Sequence, residues 1–333
     1  MKDIAEDLGV SLMTVSKALR GHVDISDDTK ERILRRAREL NYQPNWIARS
    51  LATRRSFVVG LVIPDLMHSF FAEVANGLTK ELAPFGYQIV LANSDESADT
   101  ERRELELILA RNVDGLVLAS AQRDWRRGIP HILQHTTTPF VLIDRMPSGA
   151  TVNYVGTADE ELGMLATQHL VEQGCVHIAH LRGPDNPNGV RRLQGYQSAL
   201  KKNGLKSVLQ RVVLGGVKDD SGYAGMQQLL RLNEPLDGVF CYNDPVAAGA
   251  IKAILESGRR IPEDIGVIGA GNVHYSDLLR VPLSTIDQGA AQIGETAGKI
   301  LIEFMRAKKP PPPRSVVIPL RLIVRDSSRR KAG

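Results

Sequence analysis

The sequence predicts an all-α, helix-turn-helix head followed by a two-lobed α/β body with parallel sheets, and three observations lead there. Residues 2 to 51 carry helical periodicity without strand-like alternation. From residue 57 onward, short apolar runs alternate with amphipathic stretches of about 12 to 16 residues, the pattern of strands buried on both faces between helices. The runs FVVGLVIPD, YQIVLANSD, VDGLVLAS, PFVLIDR, HIAHLRG, GVFCYND and IGVIGAG are more than one ordinary sheet of about six strands uses, so two lobes are expected.

In the head, Ile4 and Leu8 recur at helical spacing before Gly9 supplies a stop. A second short helix carries Val15 and Leu19 on one face and ends at Gly21, with Ser11 as its cap. Ser26 caps a third helix, Asp27 and Asp28 suit its positive end, and Ile33, Ala37 and Leu40 form its apolar stripe. The tight turn between the first two helices has helix-turn-helix spacing, a motif whose second helix lies in the DNA major groove with its N-terminal residues at base edges. That points to Leu12, Met13 and Lys17 as base readers, and to the hydroxyls of Ser11, Thr14 and Ser16 as phosphate partners. In YQPNWIARSLATRRS, Pro44 breaks the third helix, Asn45 caps a new one, and Arg49, Arg54 and Arg55 surround the lone apolar Leu51. Such a leucine suits a wedge between base steps in the minor groove while the arginines hold phosphates.

Bulk properties agree. With 43% hydrophobic and 24% charged residues the chain is globular rather than disordered. The net charge of +4 is mildly basic and admits a nucleic-acid partner. Cys175 and Cys241 lack metal-ligand spacing and are expected as buried small apolar residues, so neither metal nor cofactor is expected. The opening MKDIAEDLGV has no apolar export segment, and no run approaches the roughly 18 apolar residues of a membrane span. A cytoplasmic protein without a membrane partner is the expectation.

Several strands of the body end in polar clusters: Pro64-Asp65, Asn93-Ser94-Asp95, Asp144-Arg145, Asn243-Asp244 and Asn272. In open α/β sheets ligands sit beyond the carboxyl ends of strands, so these clusters should converge on a cleft between lobes. Enzyme templates fail: G-x-S-x-G, H-E-x-x-H and G-x-x-x-x-G-K-[ST] are all absent, and no catalytic residues are assigned. VIGAGNVHYSD opens like a dinucleotide fingerprint, but His274 stands at the third glycine position and the strand comes late in the chain.

In the head, IAEDLGVSLMTVSKALRG, ISDDTKERILRRARELNY and PNWIARSL, and in the body FVVGLVIPDLMHSFFAEVANG, RNVDGLVL, VLIDR, FCYNDPVAAGAIKAI, RIPEDIGVIG and PLSTIDQ, resemble the LacI/GalR family of bacterial transcription regulators over essentially the whole chain. The resemblance implies a periplasmic-binding-protein-like core whose lobes exchange the chain. By it, residues 1–43 are a DNA-binding domain and 44–56 a hinge helix and linker, the helix folding on the operator with Leu51 in the minor groove. Residues 57–325 are then an effector-binding and dimerisation domain, and 326–333 a tail. Its first lobe is about 57–155 and 287–316, its second about 156–286 and 317–325. The DNA-contacting set becomes Ser11, Leu12, Met13, Thr14, Ser16, Lys17, Asn45, Arg49 and Leu51.

The effector contacts implied are Phe70, Phe71, Asp144, Arg192, Asn243 and Asn272. Ala270, Gly271 and Asn272 stand where the family has an aromatic and two residues of the Asp-Asp or Asp-Asn kind. A wall without its carboxylate is implied, and with it a preference for a sugar acid or sugar phosphate over the family's neutral sugars. The implied function is a repressor that binds a palindromic operator as a homodimer under the control of a small molecule. A transport solute-binding protein would share the body but not the head.

Overall fold

The computed structural model of the chain describes residues 1–19, 24–42, 50, 53, 55–123, 132–133, 136–149, 151–232 and 234–330. Two compact units emerge, Met1–Ser56 and Phe57–Gly333.

In the first unit, α1 (Lys2–Leu8) ends at Gly9, whose φ of 63° is the left-handed conformation that glycine adopts without strain. The turn leads into α2 (Leu12–Leu19), and α3 (Asp27–Glu39) is capped by Ser26, which accepts from the Thr29 amide. Ile4, Val15 and Ile33 are fully buried together with Ala18, one or more from each helix, and make the small core. Leu40, expected in that stripe, instead follows the last helical turn and is exposed. The helical register has ended there, so its side chain no longer follows Ile33 and Ala37.

The second unit holds two six-stranded sheets. The first runs β11-β5-β4-β3-β1-β2, from β1 (Val58–Ile63), β2 (Gln88–Asn93), β3 (Gly115–Leu118), β4 (Phe140–Ile143), β5 (Tyr154–Gly156) and β11 (Ser315–Val317). The second runs β12-β10-β9-β8-β6-β7, from β6 (Ile178–Arg182), β7 (Val212–Leu214), β8 (Gly238–Cys241), β9 (Gly266–Ala270), β10 (Ser284–Asp287) and β12 (Arg321–Ile323). Pairings are parallel except β10 with β12, so the strands feed crossover helices: α4 (Ser69–Leu82), α5 (Ala98–Ala110), α6 (Asp159–Glu172), α7 (Pro187–Lys202), α8 (Asp219–Leu230), α9 (Asp244–Glu256) and α10 (Ala290–Arg306). The chain passes between sheets after β5, after β10 and after β11.

Three helix pairs approach backbone to backbone at reciprocal glycines. A methyl group at Gly77 would meet the Ala291 carbonyl and one at Gly294 the Val74 carbonyl, joining α4 to α10. Gly163 and Gly195 do the same for α6 and α7, and Gly222 and Gly249 for α8 and α9.

Cys175 and Cys241 are free and fully buried. Residues 326–330, expected as part of a tail, pack into the second lobe: Ser327 Oγ donates to the Val267 carbonyl at 2.7 Å and Ser328 Oγ to Ser284 Oγ at 2.7 Å. Among the described residues no helix is long and apolar enough to cross a membrane.

Candidate effector cleft and DNA-facing helix

In the head, Ser11 Oγ accepts from the Thr14 amide at 3.0 Å and lies 2.8 Å from Thr14 Oγ1, which fixes the first turn of α2. With Val15 and Ala18 turned inward, Leu12, Met13, Ser16 and Lys17 share the opposite face. Lys17 Nζ donates to Asp24 at 2.5 Å. Asn45, Arg49 and Leu51 lie outside the described residues.

In the body, the strand ends assemble the cleft. After β1, Asp65 Oδ1 accepts from the Met67 amide at 2.8 Å and His68 caps α4 through Nδ1, so Phe70 and Phe71 enter in the first helical turn. Their rings meet edge to face with centroids 5.2 Å apart. After β4, Asp144 adopts a φ of 61°, a left-handed conformation an aspartate tolerates only at some strain, and its carboxylate swings into the cleft. The next residue, Arg145, makes a fork to Glu96 with bonds of 2.6 and 2.7 Å.

The second lobe answers from its own strand ends and helix starts. Asn188 Nδ2 donates to Asp144 Oδ1 at 3.1 Å, bridging the lobes. Arg192 on α7 donates through Nε to Asp159 at 2.8 Å and through Nη1 to the Tyr242 carbonyl at 2.7 Å. Asn243 caps α9 by accepting from the Val246 amide at 2.9 Å, and its Nδ2 donates to the Val217 carbonyl at 2.9 Å and stands 3.2 Å from His68 Nε2 across the cleft.

Phe70, Phe71, Asp144, Arg192 and Asn243 therefore line one cavity, of about 30 Å³, with Asp65, His68, Glu96, Arg145, Asn188, Val217, Tyr242, Ala270 and Gln288. A larger space of about 330 Å³ sits beside it, shares Glu96 and Val217, and reaches Arg123 and Arg182. The small cavity alone has room for water rather than a sugar, and the adjoining space supplies the larger volume.

Asn272 is the exception, and it does not line the cavity. The chain turns at Gly271 and Asn272, with φ of 131° and 49°, and Asn272 Oδ1 accepts from Arg325 at 2.9 Å. Ala270 lines the wall instead. Nor is the cavity free of carboxyls, since Asp65, Glu96 and Asp144 line it. Both guanidiniums are already paired, Arg145 with Glu96 and Arg192 with Asp159. Within the small cavity, then, the arginines that an anionic sugar would pair with already hold carboxylates, whereas Arg123 lies in the adjoining space.

Burial raises the Asp144 carboxyl to about 6, although Arg145 opposes it. Burial also lowers His68 to about 4, so its imidazole is neutral at pH 7, and its Nε2 stands 3.2 Å from Asn243 Nδ2. Glu96, Asn188, Tyr242 and Gln288 were not singled out from the sequence. Glu96 follows the Asn93-Ser94-Asp95 cluster and Gln288 follows β10, so position beyond a strand end was the usable signal. Asn188 stands in the first turn of α7, two residues after its cap Asn186, and follows no strand end directly.

Comparison with known proteins identifies this arrangement. Residues 56–326 match the model of periplasmic binding proteins and the sugar-binding domain of the LacI family, and residues 1–45 match that of bacterial regulatory proteins of the lacI family. The ribose operon repressor of Halalkalibacterium halodurans is 32% identical over 99% of this chain and 97% of its own length. The transcriptional repressor PurR of Mannheimia succiniciproducens is 32% identical over 100% and 99%. Among solved structures, the lac repressor dimer bound to operator and the anti-inducer ONPF superposes with a TM-score of 0.84 at 26% identity, covering 98% of each chain. A complex of the regulator CelR with cellobiose gives 0.75 at 30% identity, over 97% and 98%. The two family matches follow one another and together span nearly the whole sequence: the chain belongs to the LacI family of bacterial regulatory proteins.

Proposed function

We propose that this chain is a cytoplasmic transcription repressor that binds a near-palindromic operator as a homodimer and is controlled by a sugar or sugar derivative in the cleft. It acts by binding, not by catalysis. The observation that carries the reading is that side chains lining the cavity also join the lobes: Asp144 to Asn188, and His68 to Asn243. A ligand competing for those groups changes the lobe angle, and through it the spacing of the two heads of a dimer. Effector and operator affinities are then coupled reciprocally.

The groups available suit hydroxyls. Glu96, Asp144 and the unpartnered Asn188 Oδ1 accept, Asn243 and the two arginines donate, and Phe70 and Phe71 offer an apolar face. In the head, Ser11, Leu12, Met13, Thr14, Ser16 and Lys17 face the major groove, while Asn45, Arg49 and Leu51 engage the minor groove and backbone.

The test is fluorescence anisotropy of the full chain on duplexes selected from a random pool, with and without a panel of sugars. Selective affinity that falls as salt rises, and moves when a sugar that raises the melting temperature is added, is expected. Leu51→Ala should lose operator affinity and retain its fold and effector binding. Absence of selective, salt-dependent binding to every duplex would overturn the reading.

A further inference from the structure

The solvent face of α2 is apolar at the end where polar side chains would be expected. Leu12 is 51% exposed and Met13 63% exposed, side by side in the first turn. Neither contributes to the core formed by Val15 and Ala18. Lys17, the cation on this face among the described residues, is held by Asp24 at 2.5 Å, so its ammonium has a carboxylate to give up before it meets guanine O6 or N7.

Among base-edge groups in the major groove, the C5-methyl of thymine is the one that gains from an apolar side chain. Against the amino groups of adenine or cytosine, or the acceptors of guanine, Leu12 and Met13 would displace water and return no hydrogen bond. Resting on the regulator reading above, we propose that Leu12 and Met13 read thymine methyl groups, so that each operator half-site places two neighbouring A·T pairs, methyls outward, under the first turn of α2.

Deoxyuridine separates this from every other source of specificity, because it keeps the pairing edge of thymine and lacks only the methyl. The full chain is first given a random duplex pool, and each thymine of the selected half-site is then replaced by deoxyuridine in turn. Two neighbouring positions per half-site should each lose about fourfold in affinity, the worth of one buried carbon. Leu12→Ser and Met13→Ser, both at exposed positions, should keep the melting temperature and each become indifferent to the methyl at one of those positions. A selected operator indifferent to deoxyuridine throughout, or one with G·C pairs under that turn, would overturn the inference while leaving the regulator reading intact. Variants that lose the dimer by light scattering would make the pair a packing surface and overturn it too. No selective binding in the first step would overturn both.

Discussion

Arg192→Met tests how the second lobe holds its charges. The arginine and Asp159 are 3% and 1% exposed, and the guanidinium also serves the Tyr242 carbonyl and lies 4.7 Å above the Tyr242 ring. Methionine keeps the apolar stem and removes the charge. Asp159 Oδ2 already lacks a hydrogen-bond partner, so the carboxylate would be left without its hydrogen-bonded cation. Breaking a buried pair by deleting one member costs about 3–5 kcal/mol. Protonation sets a ceiling. Holding a carboxyl of ordinary pKa 3.8 neutral at pH 7.5 costs about 1.4 kcal/mol per unit, or about 5 kcal/mol over 3.7 units, and only about 2 kcal/mol at pH 5.5.

The sign follows directly. Burial already raises the Asp159 carboxyl in the parent against the pull of Arg192, and removing that guanidinium raises it further, so the folded variant retains its proton to higher pH and loses more stability than the parent as pH rises. The loss relative to the parent should therefore grow from about 2 kcal/mol at pH 5.5 towards 3–5 kcal/mol at pH 7.5. Asp159→Asn strands the guanidinium instead, which does not titrate, so its loss should be flat across the same window. The double variant should recover most of either loss. Urea unfolding followed by circular dichroism at pH 5.5, 6.5 and 7.5 reads all of this. A pH-independent loss for Arg192→Met, or a double variant equal to the sum of the singles, would refute the reasoning.

Two further outcomes are expected. Glu101, fully buried beneath Ser120 and Ala121, has its carboxyl raised by burial from 4.5 to about 7, so its stabilising contribution is present below pH 4.5 and is lost as pH rises to 7; Glu101→Gln, which does not titrate, should flatten that segment of the pH–stability curve measured by urea unfolding. Gly163→Ala should lower the melting temperature by the equivalent of about 1–3 kcal/mol and weaken effector binding as well, because the new methyl meets the backbone carbonyl of Arg192 itself; an unchanged melting curve would contradict the packing described.

The apolar strands were legible because they are buried on both faces, so β1, β3, β4, β8 and β9 show as unbroken hydrophobic runs. Three-residue strands such as β5, β7, β11 and β12 leave no period to read, and pairing with a neighbour already formed is what makes them strands. RDSSRRKAG reads as a tail because buried serines look like exposed ones until their partners are known: Ser327 exchanges bonds with Val267 and Ser284, 40 to 60 residues away. The site divides in the same way. Residues just past strand ends are legible by position, whereas the forks Arg145–Glu96 and Arg192–Asp159 depend on separations of 49 and 33 residues that no local pattern encodes. Asn272 was misplaced for the same reason, since Arg325 draws it aside from 53 residues on.

The glycine pairs explain why charge burial inside a lobe and hydrogen bonding between lobes play different parts. Asp159 stands one turn before Gly163, and Arg192 three residues before Gly195, so the backbone contact of α6 with α7 holds the ion pair in place. Alone, each glycine weakens its helix by about 1 kcal/mol, and only the reciprocal contact gives a return. Within a lobe, then, the cavity wall is anchored by packed backbone and a desolvated pair worth several kcal/mol if broken. Between lobes, the contacts from Asn188 to Asp144 and from Asn243 to His68 involve no cation, and a typical net hydrogen bond is worth about 1 kcal/mol. A ligand that replaces a few such bonds can reset the angle between lobes without disturbing the interior of either, which is the property a rigid-body switch requires.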